Sequence, residues 1–191
     1  VELLGSATSI TNATTFLNTG NVVLGNGAGD SLTFTGGLTA TAPAAISAAG
    51  TVNTTNAAMS LGDSNTALTL TADLTLNTAG GALTLGGAVN GTTANTESLS
   101  LNTGSTGVIS VVGGVGQGTS LKTLTLTNSN GATFTGAVTT DTSVVLSNTV
   151  AGQTVRFAND LTTPTLTTTA NGYNVELLGS ATSITNATTF L

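Results

Sequence analysis

The sequence has no cysteine, no histidine and no tryptophan, and among 191 residues only Lys122 and Arg156 carry a positive side-chain charge. Each absence closes off a kind of chemistry. Without cysteine there is no disulfide framework and no thiolate to attack or to ligate. Without histidine the chain lacks the one side chain that ordinarily titrates near neutrality, and with it the commonest metal ligand. Eight acidic residues set against the two cations give a formal charge of −6. That balance opposes nucleic acid, whose binding rests on several Lys or Arg contacts to phosphate, and it opposes anionic lipid headgroups for the same reason. No apolar run approaches the roughly 20 residues that cross a bilayer as a helix, and no charged stretch precedes an apolar one as in a signal peptide. The expectation is a chain that is not an enzyme, with no catalytic residues, no cofactor-binding residues and no metal site.

What the sequence has in abundance is repetition. Residues 1–17, from Val1 to Leu17 (VELLGSATSITNATTFL), recur letter for letter from Val175 to Leu191, an offset of 174. Self-similarity at a fixed long period marks a protein built by stacking one module. We read residues 1–174 as one tandem unit and 175–191 as the start of the next identical copy, so the chain is expected to be a slice of a continuous array. A fainter repeat divides the unit into halves, about 1–87 and 88–174. Leu68-x-Leu70-x-x-Asp73-Leu74 returns as Val155-x-Phe157-x-x-Asp160-Leu161, Gly25-x-Gly27-x-Gly29-x-Ser31-Leu32 as Gly114-x-Gly116-x-Gly118-x-Ser120-Leu121, and Leu17-Asn-Thr-Gly20 as Leu101-Asn-Thr-Gly104. Their offsets differ by a few residues, as expected where loops absorb insertions and strand register cannot.

Short alternating runs fill the space between glycines: Leu68-Thr-Leu70, Leu74-Thr-Leu76, Leu83-Thr-Leu85, Leu99-Ser-Leu101, Leu124-Thr-Leu126 and Val155-Arg-Phe157. Period two with a hydroxyl residue opposite Leu is the pattern of a half-buried strand. The longest Ala-rich stretch, from Ala40 to Gly50, is interrupted by Pro43. The chain is therefore expected to be all-β. The Asn-Gly steps at 26–27, 90–91, 130–131 and 171–172, with glycine pairs at 36–37, 80–81, 86–87 and 113–114, are expected to supply positive-φ corners. Spacings such as Leu83 to Leu99 and Leu101 to Leu124 suggest turns of about 20 to 22 residues, roughly eight per unit, in a parallel β-helix, that is, a β-solenoid. Its core would be a column of Leu, Val, Ile and Ala with few rings. The competing architecture is a pair of tandem β-sandwich modules of 87 residues, which the missing Trp, the short strands and the absence of a linker disfavour.

Candidate chemical motifs fail on their own spacing. Gly25-Asn-Gly-Ala-Gly-Asp30 is close to a calcium-binding nonapeptide, but Ala28 stands where glycine is needed and Thr119 replaces Asp30 in the second copy; calcium needs six to eight oxygens. Gly114-x-Gly116-x-Gly118 lacks the spacing of a nucleotide fingerprint, and Lys122 is not placed for a phosphate loop. Asp73 and Asp160 would lie about four turns apart, too far to share one glycosidic bond; as residues preceding strands they are expected to cap local turns. Thr-x-Thr triplets at 33–35, 39–41, 69–71, 123–127 and 165–167 would order water as ice-binding solenoids do if they stacked on one face, although threonine is also the natural outward residue of a strand.

The runs Ala82-Leu-Thr-Leu-Gly-Gly-Ala-Val-Asn-Gly91 and Ala132-Thr-Phe-Thr-Gly-Ala-Val-Thr139 resemble the repeats of large bacterial exoproteins, the filamentous-haemagglutinin-like adhesins and autotransporter passengers. The resemblance implies a right-handed parallel β-helix, export to the bacterial cell surface, and a role in adhesion, biofilm or a surface filament. Lack of cysteine agrees with a chain threaded unfolded across an outer membrane. The expected role is a non-enzymatic shaft or adhesive fibre, with an ice- or glycan-binding surface as the alternative. The expected partners are neighbouring copies of the same repeat, through one chain or head to tail, with lateral self-association and surface glycans also in view. No nucleic acid and no membrane is expected for this segment.

Overall fold

The alternating runs form 21 short strands and no helix in a computed structural model that describes residues 1–191. Every strand pairing is parallel, and the paired residues lie 19 to 26 positions apart, from Leu121 against Thr140 to Leu83 against Ile109. One such offset is one turn of the chain. The polypeptide is therefore a parallel β-solenoid, and the tandem-sandwich alternative is overturned, since a sandwich pairs its strands antiparallel.

Each turn has three faces. The first carries Glu2–Leu3, Val22–Leu24, Val89–Gly91, Leu161–Thr163 and Ser183–Ile184; the second carries Ala7–Ile10, Ser31–Phe34, Leu99–Asn102, Leu121–Asn128 and Thr165–Thr168. Three longer strands, Ile46–Thr54, Leu68–Asn77 and Val138–Leu146, run along the first face and bend onto the second, which joins both faces into one 13-stranded sheet. The third face is a separate 8-stranded sheet from Thr14–Thr15 to Asn174–Leu177, one strand for each of eight turns. Within Ile46–Thr54 the bend falls at a register shift between Ala48 and Gly50. Gly50 has φ 77°, and a Cβ there would stand 2.3 Å from the Asp30 carbonyl oxygen. Only glycine meets both demands.

Alternation then sorts the side chains. In the strand Leu83–Leu85 the two leucines are buried and Thr84 is partly exposed, and the strand lies in register on Met59–Leu61 below and Ile109–Val111 above. In-register stacking puts apolar residue over apolar residue turn after turn, so the interior is a single cluster of 35 buried residues. Its rings stack too: Phe134 pairs with Phe157, with ring centroids 4.8 Å apart and planes 6° from parallel.

Two sequence expectations need correction. Of the Asn-Gly steps only Gly131 has a positive φ, and of the glycine pairs only Gly37 and Gly80. Gly27 and Gly172 have nothing nearer to a Cβ than 3.9 and 3.6 Å, and the rest serve close approach, as does the unpaired Gly136: a Cβ would stand 2.0 Å from the Thr66 oxygen at Gly87, 2.2 Å from the Gly87 carbonyl carbon at Gly113, and 2.6 Å from that of Gly113 at Gly136. These three glycines form a column at the corner after the third face, where successive turns touch backbone to backbone. The turn length also differs from 20 to 22 residues, because corner loops vary. Glu2 and Leu3 lie on the first face of the first turn, paired with Val23 and Leu24, whereas their repeats Glu176 and Leu177 lie on the third face of the eighth turn, paired with Arg156 and Phe157. An offset of 174 residues is thus seven turns and two further faces, one face short of eight.

The half-repeat shows the same shortfall. Leu68–Leu70 run along the first face and their counterparts Val155–Phe157 along the third, so 87 residues make three turns and two faces, not four turns.

Candidate functional surface

The most regular polar feature is a ladder at the corner between the second and third faces. Asn53, Asn77, Asn102 and Asn128 occupy the same position on four successive turns. Each is followed by a buried hydroxyl residue: Thr54, Thr78, Thr103 and Ser129, with Thr149 next in line after Asn148. The backbone repeats with them. Thr78 N donates to Asn102 O at 2.9 Å, Thr103 N to Asn128 O at 2.8 Å and Ser129 N to Asn148 O at 3.1 Å. The buried hydroxyls close the corner that follows, Thr54 Oγ1 donating to Ala57 O at 2.5 Å, Thr78 Oγ1 to Gly81 O at 2.5 Å and Thr103 Oγ1 to Gly107 O at 2.8 Å. A hydroxyl at such a site replaces the water that a buried carbonyl would otherwise need. Among the amides, Asn77 Nδ2 donates to Asn53 Oδ1 at 3.1 Å and Asn171 Nδ2 to Asn148 Oδ1 at 2.9 Å. Between them the amides do not touch: Asn102 Oδ1 accepts from Gly104 N at 3.1 Å, a register shift after Leu101 offsets Asn128, and Asn128 Oδ1 is left buried without a partner.

Outside the core, hydroxyl residues line up in rows. On the third face Thr15, Thr39, Ser60, Thr84, Ser110 and Thr133 stack in register and are followed by Arg156 and Glu176. On the second face one row runs through Ser31, Thr51, Thr75, Ser100 and Thr125, beside a second through Ser9, Thr33 and the Asn ladder. Neighbours in a row are about 4.8 Å apart and the two rows about 6.7 Å, set by the strand spacing and by two residues of rise. Lys122 sits at the corner end of Leu121–Asn128, where Leu121 still pairs with Thr140 ahead of a register shift, and none of the ten charged side chains falls within the second-face stretches beyond the bends, 31–34, 51–54, 74–77, 99–102, 123–128, 143–146 and 165–168. The Thr-x-Thr triplets themselves do not stack as triplets: Thr33 and Thr125 are on the second face, Thr39 on the third, and Thr69 on the first.

The carboxylates hold corners and loops. Asp30 Oδ2 accepts from Asn26 N at 2.8 Å and Gly27 N at 3.0 Å, closing its own glycine-rich loop. Asp73 and Asp160, expected to cap local turns, instead reach across: Asp73 Oδ1 accepts from Ser98 N and Asp160 Oδ1 from Ala181 N, each at 2.8 Å and each one turn on. Asp73 sits between the first and second faces and Asp160 between the third and first. No three His, Cys, Asp or Glu residues gather in a way that could hold a metal ion. Sequence reasoning missed Glu97, which is 3% exposed and accepts from the Thr92 hydroxyl and, at 3.3 Å, from Thr93 N. It closes the loop of the longest turn, and a lone Glu in a polar stretch gave no signal of that.

Arg156 and Glu176 form a salt bridge at 3.6 Å with both side chains about half exposed. The surface has two depressions. One is lined by Tyr173, Val175, Phe190 and Leu191, the other by Val108, Asn130, Ala132 and Gln153, and neither contains a carboxylate or a cation. No helix is long and apolar enough to cross a membrane. Comparison with models of known families, with curated proteins and with solved structures finds no match.

Proposed function

We propose that the chain is a stiff structural element, one unit of a tandem shaft or adhesive fibre displayed on a bacterial cell surface. The observation that carries this reading is the uninterrupted column. Eight turns share one core and strands hydrogen-bonded to the neighbouring turns, an Asn and hydroxyl ladder joins five of them from Asn53 to Asn148, and a segment of identical sequence takes part in turns at both ends. In such a stack each turn is stabilised chiefly by its neighbours, so stability and stiffness grow with the number of turns. The polar groups are spent on holding turns together, and they converge on no cleft.

The uncharged second face supports the adhesive part of the proposal. Rows of hydroxyl and amide groups without a cation or carboxylate suit neutral partners that hydrogen-bond, such as surface glycans or the same face of a parallel fibre. The ice-binding reading draws on the same rows. Fibre diffraction of native material tests the shaft: a strong axial reflection near 4.8 Å is expected, and its absence, or isolated globular particles in micrographs, refutes it. Binding of the purified chain to neutral glycans, undiminished by salt, would assign adhesion to the repeats themselves; no binding leaves them as a shaft.

A further inference from the structure

The segment VELLGSATSITNATTFL is built into two different places. Its first copy begins on the first face, with Leu3 opposite Leu24, Ile10 opposite Phe34 and Thr14 opposite Leu38. Its second copy begins on the third face, with Leu177 opposite Phe157 and Ile184 opposite Thr163. Four positions turn inward in both, Leu3, Thr8, Ile10 and Thr14 being partly buried and so Leu177, Thr182, Ile184 and Thr188, while the ends differ: Phe16 packs on the core and Phe190 is exposed, and Val1 is exposed where Val175 packs on the core. This works because the segment consists of short strands separated by corners, and each inward residue asks only for a buried neighbour of suitable size on the adjoining turn, a phenylalanine at Ile10 and a threonine at Ile184.

We infer that the 174-residue unit is out of phase with the turn by one face. Resting on the reading of the chain as one unit of an array, this means that every recurrence of the unit rotates its surface by a third of a turn about the axis. Three units make twenty-three whole turns, about 110 Å at 4.8 Å per turn, before the same residues face the same way again. The uncharged rows of the second face then appear on each of the three sides in succession. A flat object lying along one side meets them only at every third unit. A fibre made this way grips in all directions and is poorly suited to covering one crystal plane continuously, which weighs against the ice-binding reading.

Identical residues in unequal surroundings give a test within the chain itself. Around Gly5 an added Cβ would meet only the Thr8 hydroxyl, at 3.2 Å; at Gly179 it would stand 2.4 Å from Asp160 Oδ1 and 2.5 and 2.6 Å from the Asp160 Cα and N. Gly179→Ala is expected to lower the urea midpoint of the full chain, because Asp160 of the preceding turn, at the corner between the third and first faces, lies against it; an unchanged midpoint would overturn the placement of the second copy at that corner. The second measurement is cryo-microscopy of the full chain extended by a second copy of residues 18–191. A rotation of about 120° between the two positions equivalent to Arg156 and Glu176 is expected, and zero rotation would overturn the inference. The mass of the native polypeptide separates this from the array reading, for a protein holding a single unit would remove the array while the rotation in the extended chain still stood.

Discussion

Replacing Thr78 and Thr103, one at a time, by valine separates two hydroxyls that look alike. Both sit at the ladder corner, both are buried, and both donate to a carbonyl three or four residues on. Valine keeps the shape and removes the donor. The acceptors differ. Gly107 O also accepts from Asn130 N at 2.7 Å, so it stays satisfied when Thr103 loses its hydroxyl. Gly81 O has Thr78 Oγ1 as its only donor, and it lies 2.2 Å from where a Cβ on Gly107 would be, so water has little room to reach it. Thr103→Val should therefore cost the net worth of one hydrogen bond, about 0.5–1.5 kcal/mol, while Thr78→Val leaves a covered carbonyl unpaired and should cost about 1–3 kcal/mol. With a urea dependence of about 2 kcal/mol per molar, the midpoints should fall by roughly 0.25–0.75 M and 0.5–1.5 M respectively, at unchanged slope. Unfolding followed by far-ultraviolet circular dichroism measures both. Equal losses, or a greater loss at Thr103, would refute the argument that the ladder hydroxyls act by satisfying covered carbonyls.

Phe157→Ala removes one ring of the Phe134 stack from a fully enclosed position and should destabilise by about 3–5 kcal/mol, read by the same titration. Gly87→Ala drives a methyl into the Thr66 carbonyl, whereas nothing lies within 4 Å of a Cβ on Gly29. The first should cost about 1–3 kcal/mol or more and the second next to nothing in thermal melts. Arg156→Ala breaks a salt bridge between two half-exposed side chains and should change stability by less than about 1 kcal/mol. With no other salt bridge to screen, the unsubstituted chain should melt at nearly the same temperature in low and high salt.

Much of the fold was legible in the sequence. Leu-Thr-Leu runs bounded by glycine announce strands because a two-residue period has only one structural counterpart, and the 17-residue identity announces a module because nothing but duplication preserves every letter. The Asn-Thr and Asn-Ser pairs at 53–54, 77–78, 102–103, 128–129 and 148–149 also spell out the corner ladder and give turn spacings closer to the truth than the leucines do. Leucine recurs on all three faces and so cannot say which face it marks. The Asn-hydroxyl pair marks its corner on five successive turns because that corner has its own hydrogen bonds to satisfy, although Asn65-Thr66 and Asn95-Thr96 fall in other loops and the sequence alone does not tell them apart.

Sequence by itself determined that the chain is β, that it repeats, and that its surface is nearly free of charge, since each of these follows from residue type and local period. Only the tertiary structure decided which strand lies against which. That choice made Asp73 and Asp160 bind the turn beyond rather than their own, used the glycine pairs at 86–87 and 113–114 for close contact rather than for positive φ, and set identical segments on different faces. The physical reason is that a strand's inward pattern fixes which side is buried and leaves open which face of the turn it occupies. The face is settled by the sum of corner lengths along the whole coil, a quantity no local window contains.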